Sequence, residues 1–427
     1  MSSERECFVY IVPPGATEFV TAGRFRWIDD GTAAVGQFVY GRSYRERADA
    51  VELDPVELRL SERVYETASM QGLFGAIRDS MPDFWGRRVI ERNTGATELS
   101  EFDYLLQGPD DRAGALGFGL AVEPPAPRRR FNRTLDLAVL QRAADAILDD
   151  DRKHAGSAGA HVEELLLLGT SMGGTRPKAV VEYEGDLCIA KFGRSDDRWN
   201  DSRVEHGMLA LARACGLTVA DSGIATVGGR DVLLVRRFDR DRAADVGGAG
   251  DGYLRHRMVS ALTLLRTGDA LADRGDWSYL LLADEVRRTS ARPADDLREL
   301  FGRVCFNAAV SNLDDHPRNH ALLATGRQWR LSPAYDLTPS PVVALERRDL
   351  AMTCGRFGRY ANHANLLSAH GRFLLDQAAA AAVFDGIART VRARWHAEMR
   401  RAGVSVRDCE AIRPAFLYEG LFYDGPA

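Results

Sequence analysis

Apolar and β-branched residues gather in three short runs near the start of the chain, at residues 7–12, 23–27 and 33–40, separated by Pro-Pro-Gly and Asp-Asp-Gly. Runs of this kind between turn formers predict a small antiparallel β unit. Helical spacing follows over residues 70–92, and the segment closes on the proline-rich, basic stretch from Glu123 to Arg130, which reads as a linker. A boundary is expected near residue 125. Beyond it, Thr134 can cap a helix whose apolar face is Leu137, Leu140, Ala144, Ile147 and Leu148, with glycines 156 and 159 closing it. Alternation at residues 179–183 and 187–192 around a Gly-Asp turn predicts a hairpin. A helix carrying Glu205, Met208, Leu209 and Ala212 then ends at Gly216, and residues 232–235 form a further strand. The later half is mainly helical. Leu297, Leu300, Phe301, Val304 and Ala308 share one helix face, and Phe384, Ile387, Val391 and Trp395 mark a long helix that stops at Gly403.

Composition narrows the classes. With 427 residues, 45% hydrophobic and 27% charged, the chain can bury a large core and divide into more than one lobe. A net charge of −5 gives no general reason to bind nucleic acid or an anionic membrane. The six cysteines lie far apart without a C-x-x-C pair, which argues against a disulfide scaffold or a zinc site and for reduced, buried thiols. No apolar run approaches the roughly 20 residues needed to span a bilayer, and the charged start carries no signal-peptide pattern. A cytoplasmic protein with no membrane contact is the expectation.

The candidate chemistry lies in the stretch from Ser311 to His320 and in Leu331-Ser-Pro-Ala-Tyr-Asp336. Asp314 is followed five residues later by Asn319 and twenty-two residues later by Asp336. This is the order base, amide metal ligand, carboxylate metal ligand of kinase catalytic centres. Asp314 is the better base of the adjacent carboxylates because it sets that spacing, and Asp315 is expected to turn toward structure. His316 can orient the loop or touch a phosphate, or simply hydrogen-bond the backbone. Pro317 and Pro333 stiffen both stretches. Taken alone, a surface turn rich in Asp and Asn would carry the same residues.

A glycine-rich turn from Gly169 to Lys178 offers a phosphate cradle: Gly173 and Gly174 allow close backbone approach, Ser171 and Thr175 add hydroxyls, and Lys178 adds charge. It matches neither the Walker nor the protein-kinase glycine pattern. Lys191, on a strand and fourteen residues before Glu205, can reach nucleotide phosphates or be an ordinary strand lysine. Residues Arg236, Arg237, Phe238 and Asp239 are either a strand end or a hinge whose backbone meets adenine.

Together these pieces resemble the HipA-type toxins, serine/threonine kinases of bacterial toxin-antitoxin modules. The matching motifs are Ser171-Met-Gly-Gly-Thr-Arg-Pro-Lys178, Ile189-Ala-Lys191, Arg237-Phe-Asp-Arg240, Asn312-Leu-Asp-Asp-His-Pro-Arg-Asn319 and Leu331-Ser-Pro-Ala-Tyr-Asp-Leu337, in the family's order. The resemblance implies an α+β, two-lobed protein-kinase-like fold. It would comprise a family-specific subdomain over residues 1–125, an ATP-binding part over 126–240 and a helical catalytic lobe over 241–427. It implies Asp314 as catalytic base, Asn319 and Asp336 as magnesium ligands, and Lys191 on ATP phosphates. Gly173, Gly174, Thr175, Arg176, Pro177 and Lys178 would cover the triphosphate, Arg236, Arg237 and Phe238 would meet adenine, and His316 and Tyr335 would complete the pocket. Ser171 matches a position that family members autophosphorylate to switch themselves off. A phosphate there adds about −1.5 to −2 charge beside the site meant for the nucleotide's phosphates. The implied partners are a small helix-turn-helix antitoxin, through which DNA is reached only indirectly, and a protein substrate of translation such as an aminoacyl-tRNA synthetase. Arg236 stands where some members carry an acidic residue, and Thr175-Arg-Pro replaces a more polar loop.

Two competing readings remain at this level. One is a metal-dependent phosphohydrolase built on Asp314, Asp315, His316 and Asp336, which leaves Lys191 and the Ser171 turn unexplained. The other is a catalytically idle corepressor that acts with a DNA-binding antitoxin.

Overall fold

The structure is a computed structural model that describes residues 3–96, 99–125, 132–133, 137–153, 176–194, 196–243, 252–341 and 344–423. The chain forms two compact units: Met1–Arg194 with Thr226–Val259 and Leu323–Arg327, and Ser195–Ala225 with Ser260–Leu322 and Gln328–Ala427.

Among the described residues, the first unit is built mainly on two larger sheets. In the first, β1 (Ser3–Ile11), β2 (Val20–Asp29), β3 (Ala34–Tyr40), β4 (Tyr65–Thr67) and β5 (Leu116–Gly119) lie in the order β4-β3-β2-β1-β5. Strand β2 shows why these runs pair: Phe25 and Trp27 are buried while Arg24 and Arg26, which alternate with them, are exposed, the period-2 pattern of a sheet with one wet face. The helical spacing at residues 70–92 is realised in pieces. A short helix at Gly75–Asp79 ends before Pro82, and α1 (Phe84–Thr94) starts afresh with the Asp83 side chain accepting from the Gly86 N–H at 2.7 Å. α1 ends at Gly95, whose φ of 68° places it in the left-handed region. α2 (Glu101–Gln107) opens with a capping box between Ser100 and Asp103.

The second sheet of this unit holds β6 (Asn132–Arg133), β7 (Lys178–Tyr183), β8 (Asp186–Phe192) and, after β9 (Ser222–Val227), β10 (Arg230–Arg236), with the order β6-β7-β8-β10. α3 (Leu137–Lys153) buries Leu137, Leu140, Ala144 and Ile147, the face expected from their spacing, while Thr134 and the glycines at 156 and 159 lie outside the described residues. β7 and β8 form the expected hairpin, with Tyr183 opposite Asp186. The turn residues are Glu184 and Gly185, not Gly-Asp. Both have positive φ, 53° and 87°, the geometry whose twist matches that of the two strands.

The second unit is mainly helical: α4 (Asp201–Ala214), α5 (Tyr279–Thr289), α6 (Pro293–Ala309) and α7 (Gln377–Arg401). α6 is its centre. Leu297, Leu300, Phe301, Val304 and Ala308 are all buried, and the helix packs against α5 and α7. α7 also packs on α4, where Gly207 allows the approach: a Cβ there would sit 2.8 Å from the Met399 sulfur. Gly216 and Gly403 follow α4 and α7 with φ of 86° and 82°. All six cysteines are free thiols, five of them buried. Among the described residues, no helix is long and apolar enough to cross a membrane.

Candidate functional site

In the second unit the chain leaves α6 through Val310 and enters the loop that carries Asp314. The His316 N–H donates to the Asp314 carbonyl at 2.8 Å, the Asn319 N–H donates to the His316 carbonyl at 2.9 Å, and Pro317–Asn319 form one 3₁₀ turn. The Asn319 side-chain amide also donates to the Asp314 carbonyl, at 3.4 Å. Since its NH₂ points back along the loop, the amide oxygen of Asn319 is left to face another partner. Asp314 and Asn319 are thus held in one short arch.

The segment carrying Asp336 is fixed separately. Ala334 donates to the Thr218 carbonyl and accepts from the Ala220 N–H, both at 2.9 Å. The Tyr335 hydroxyl donates to the Arg318 carbonyl at 2.8 Å, which ties this segment to the arch. Asp336 then adopts φ 58°, a left-handed conformation that Asp and Asn accept more readily than other side chains. Strained backbone of this kind persists where neighbours over-determine it, and here the clamps on Ala334 and Tyr335 do so.

Asp314 is exposed at its surface, yet its carboxyl pKa is raised. Loss of water around the carboxyl is the main cause, His316 opposes it, Asp336 and Asp315 add to it, and Arg274 opposes it. The Asp336 carboxylate therefore lies near enough to Asp314 for the two charges to repel. A cation would relieve that crowding. One carboxylate and one amide oxygen are a donor set that suits magnesium, which keeps water and phosphate oxygens for its remaining positions. Among the described residues, no group of three or more His, Cys, Asp or Glu side chains is placed to hold a metal ion by itself.

His316 packs its ring edge-on to Trp277 with centroids 6.3 Å apart, and its Nδ1 is buried without a hydrogen bond. Asp315 points the other way, into the protein. It is 1% exposed and accepts from the Tyr279 hydroxyl, from Asn307 Nδ2 at 2.7 Å and from His320 Nε2 at 2.7 Å. A carboxylate so placed cannot act as an open metal ligand, which removes one of the four groups that a phosphohydrolase reading requires.

The first unit places the other named residues. Ser171, Gly173, Gly174 and Thr175 lie outside the described residues. Arg176 is half-buried, and Pro177 is buried with its carbonyl accepting from the Phe192 N–H at 3.0 Å. Lys178 and Lys191 are directly opposite across β7 and β8, so their side chains start from the same face. Their fates differ. Lys178 is 1% exposed and ion-paired with Asp83 at 2.6 Å, so its charge is neutralised inside the protein and is not an open phosphate ligand; Lys191 is only half-buried.

The hinge-like residues also divide by face. Arg237 is buried, paired with Asp111 and, at 2.8 Å, with Asp239, while its N–H donates to the Leu187 carbonyl. Its side chain belongs to the interior, so any contact of this residue with adenine is left to its backbone, the part that the sequence reading named. Arg240 and Asp239 join the same buried network, in which the Gly114 N–H donates to Asp239 at 2.8 Å. Burial would raise the Asp239 pKa, but Arg237 and Arg240 outweigh it and hold the carboxylate well below its usual range. Arg236 and Phe238 lie half-buried on the other face, with Arg236 paired to Asp186 at 3.1 Å.

Sequence reasoning missed Asp83, Asp111, Tyr279, Asn307 and the role of His320. Polar residues at positions where helical periodicity calls for core, such as Asn307 on α6, were the available signal.

Comparison with known proteins places these features in context. Residues 170–395 match the family model for the HipA-like C-terminal domain, and residues 18–119 match that for the HipA N-terminal domain. A protein of Sinorhizobium fredii named putative kinase Y4mE is 26% identical over 352 residues, covering 75% of this chain and 79% of its own. Among solved structures, HipA in the HipA, HipB and operator DNA complex of Shewanella oneidensis MR-1 aligns with TM-score 0.64 and 16% identity over 93% of each chain. At that identity the likeness is one of fold.

Proposed function

Because the chain belongs to the HipA family, we propose that it is an ATP- and magnesium-dependent protein serine/threonine kinase that acts as the toxin of a toxin-antitoxin module. The observation that carries this reading is the arch in which Asp314 and Asn319 are joined, with the Asp336 carboxylate beside it. Support also comes from the relative named as a putative kinase and from the kinship in fold with a HipA that assembles with HipB and DNA.

In this reading Asp314 accepts the proton of the acceptor hydroxyl as that oxygen bonds to the γ-phosphorus and the bond to the ADP oxygen breaks. The raised pKa of Asp314 makes it a stronger base than a solvated aspartate. Asn319 and Asp336 would hold magnesium, which neutralises charge on the phosphate oxygens when bound. Lys191 pairs with phosphate oxygens, and Phe238 with the Arg236 backbone lies against adenine. Arg176, Pro177 and the turn before them, including Gly173, Gly174 and Thr175, cover the triphosphate, and His316 and Tyr335 border it. Ser171 receives a phosphate in autophosphorylation and switches the enzyme off. A small helix-turn-helix antitoxin binds the protein and brings it to DNA, a translation protein such as an aminoacyl-tRNA synthetase is the substrate, and both act in the cytoplasm.

Incubation with ATP labelled at the γ-phosphate tests the reading. Label on Ser171 or on a partner protein, lost in Asp314→Ala, is the expected result. Hydrolysis of phosphate esters without any protein labelling would overturn it in favour of a hydrolase. Equal growth on expression of wild type and Asp336→Ala, with neither transferring phosphate, would favour the idle corepressor.

A further inference from the structure

We propose that Asp315 is a positioning residue for Asp314, acting through a buried three-donor anchor that sets the angle of the catalytic arch. The inference rests on the kinase reading above. One oxygen of Asp315, Oδ2, accepts from Tyr279 on α5, from Asn307 on α6 at 2.7 Å, and from His320 just past the 3₁₀ turn at 2.7 Å. The three donors come from three separate elements, and two of them are helices of the unit's core.

The anchor is itself braced. Asn307 accepts from Asn312 Nδ2 at 3.1 Å through its own oxygen, which fixes its amide so that its NH₂ faces Asp315. The Tyr279 and His320 rings meet edge to face with centroids 5.6 Å apart, and the His320 carbonyl accepts from the Ala261 N–H at 2.8 Å. Tyr279, Asn307 and His320 are buried.

Asp314 and Asp315 share a peptide unit, so rotation about the Asp315 backbone swings Asp314 directly. His320 holds the far end of the same arch. The carboxylate of Asp315 therefore fixes both feet of the segment that carries Asp314 and Asn319, without touching a substrate. Misplacement of a base by about 1 Å can cost about 100-fold in rate while binding is kept.

The test compares wild type, Asp314→Asn, Asp315→Asn and Tyr279→Phe for transfer from γ-labelled ATP, for KM of ATP and for thermal midpoint. Asp315→Asn keeps the size of the side chain but replaces the charged carboxylate oxygen that the three donors share with a neutral, weaker amide acceptor. We expect its kcat to fall about 100-fold with KM for ATP within about twofold. Tyr279→Phe, which leaves two donors on Asp315, is expected to lose a smaller part of kcat with the same unchanged KM. Wild-type kcat in both variants beside an inactive Asp314→Asn overturns the inference and leaves the kinase reading standing. So does loss of kcat only in proportion to a raised KM and a lowered midpoint, the mark of a merely structural role. Absence of transfer by wild type overturns the kinase reading and this inference together.

Discussion

The Lys178 ammonium meets the Asp83 carboxylate at 2.6 Å, with their side chains only 2% and 3% exposed. Asp83 does two things at once: one oxygen takes Lys178 and the other caps α1. Lys178→Met leaves that carboxylate buried without its cation, and breaking such a pair costs about 3–5 kcal/mol. Asp83→Ala removes the cap as well and is expected to cost about 1 kcal/mol more. Urea unfolding of the three proteins checks both; equal stability of Lys178→Met and wild type would contradict the pairing.

Lys191 should behave differently from its cross-strand neighbour. Lys191→Met is expected to raise KM for ATP about tenfold or more, as expected for loss of a charged hydrogen bond, with stability changed by less than about 1 kcal/mol. A nucleotide titration beside a thermal melt separates the two lysines.

The network of Asp111, Arg237, Asp239 and Arg240 predicts that arginine cannot be exchanged for lysine at position 237. The Arg237 guanidinium serves Asp111, Asp239 and the Arg112 carbonyl together. A lysine offers one compact charge with no planar fork. Arg237→Lys should lose about 3 kcal/mol or more, read by chemical denaturation, because Asp111 is left buried with a poorer partner.

Asp54 gives a pH dependence. Its Oδ1 accepts from the N–H groups of Val56, Glu57 and Leu58, but complete burial dominates and pushes its pKa up to about 6. The unfolded chain titrates this group near 3.9, so between about pH 4 and 6 the folded state binds more protons. Its contribution to stability is therefore present at low pH and declines as pH rises through that window, by up to about 3 kcal/mol. In Asp54→Asn the decline should vanish from a denaturation series run across the window, while the rest of the pH profile is kept.

Magnesium dependence separates Asp314 in the arch from Asp336 beside it. Asp314→Asn should lower phosphate transfer about 100-fold to 10,000-fold at any magnesium concentration. Asp336→Asn should instead be partly recovered as magnesium is raised, since it loses affinity for the ion before it loses the base. A matrix of rate against magnesium for both variants reads this directly.

Much of the fold was legible because one-sided burial leaves a period. Phe25 and Trp27 alternate with Arg24 and Arg26, and Leu297, Leu300, Phe301 and Val304 repeat at helical spacing. Pro82 was the overlooked break in the run from 70 to 92. At the site, spacing set Asp314 apart from Asp315, and the structure leaves Asp314 exposed and buries Asp315, the side chain expected to turn toward structure. The pairings of Lys178 with Asp83, 95 residues apart, and of Arg237 with Asp111, 126 apart, left no local trace. A buried ion pair joins residues by position in space, and a single sequence carries no period for that. Lys178 therefore looked like an open charge when it is an interior one.

The left-handed backbone at Asp336 bears on how any mutational survey of this chain should be read. Alanine, valine or leucine at 336 would lose a carboxylate and also take on a conformation that branched and bulky side chains resist. Inactive clones from a random library would then mix two causes, a missing charge and a shifted loop. Asparagine occupies the same volume and tolerates the same φ, so it reports the charge; glycine lacks the carboxylate as well and relaxes the backbone, so its difference from asparagine reports the loop.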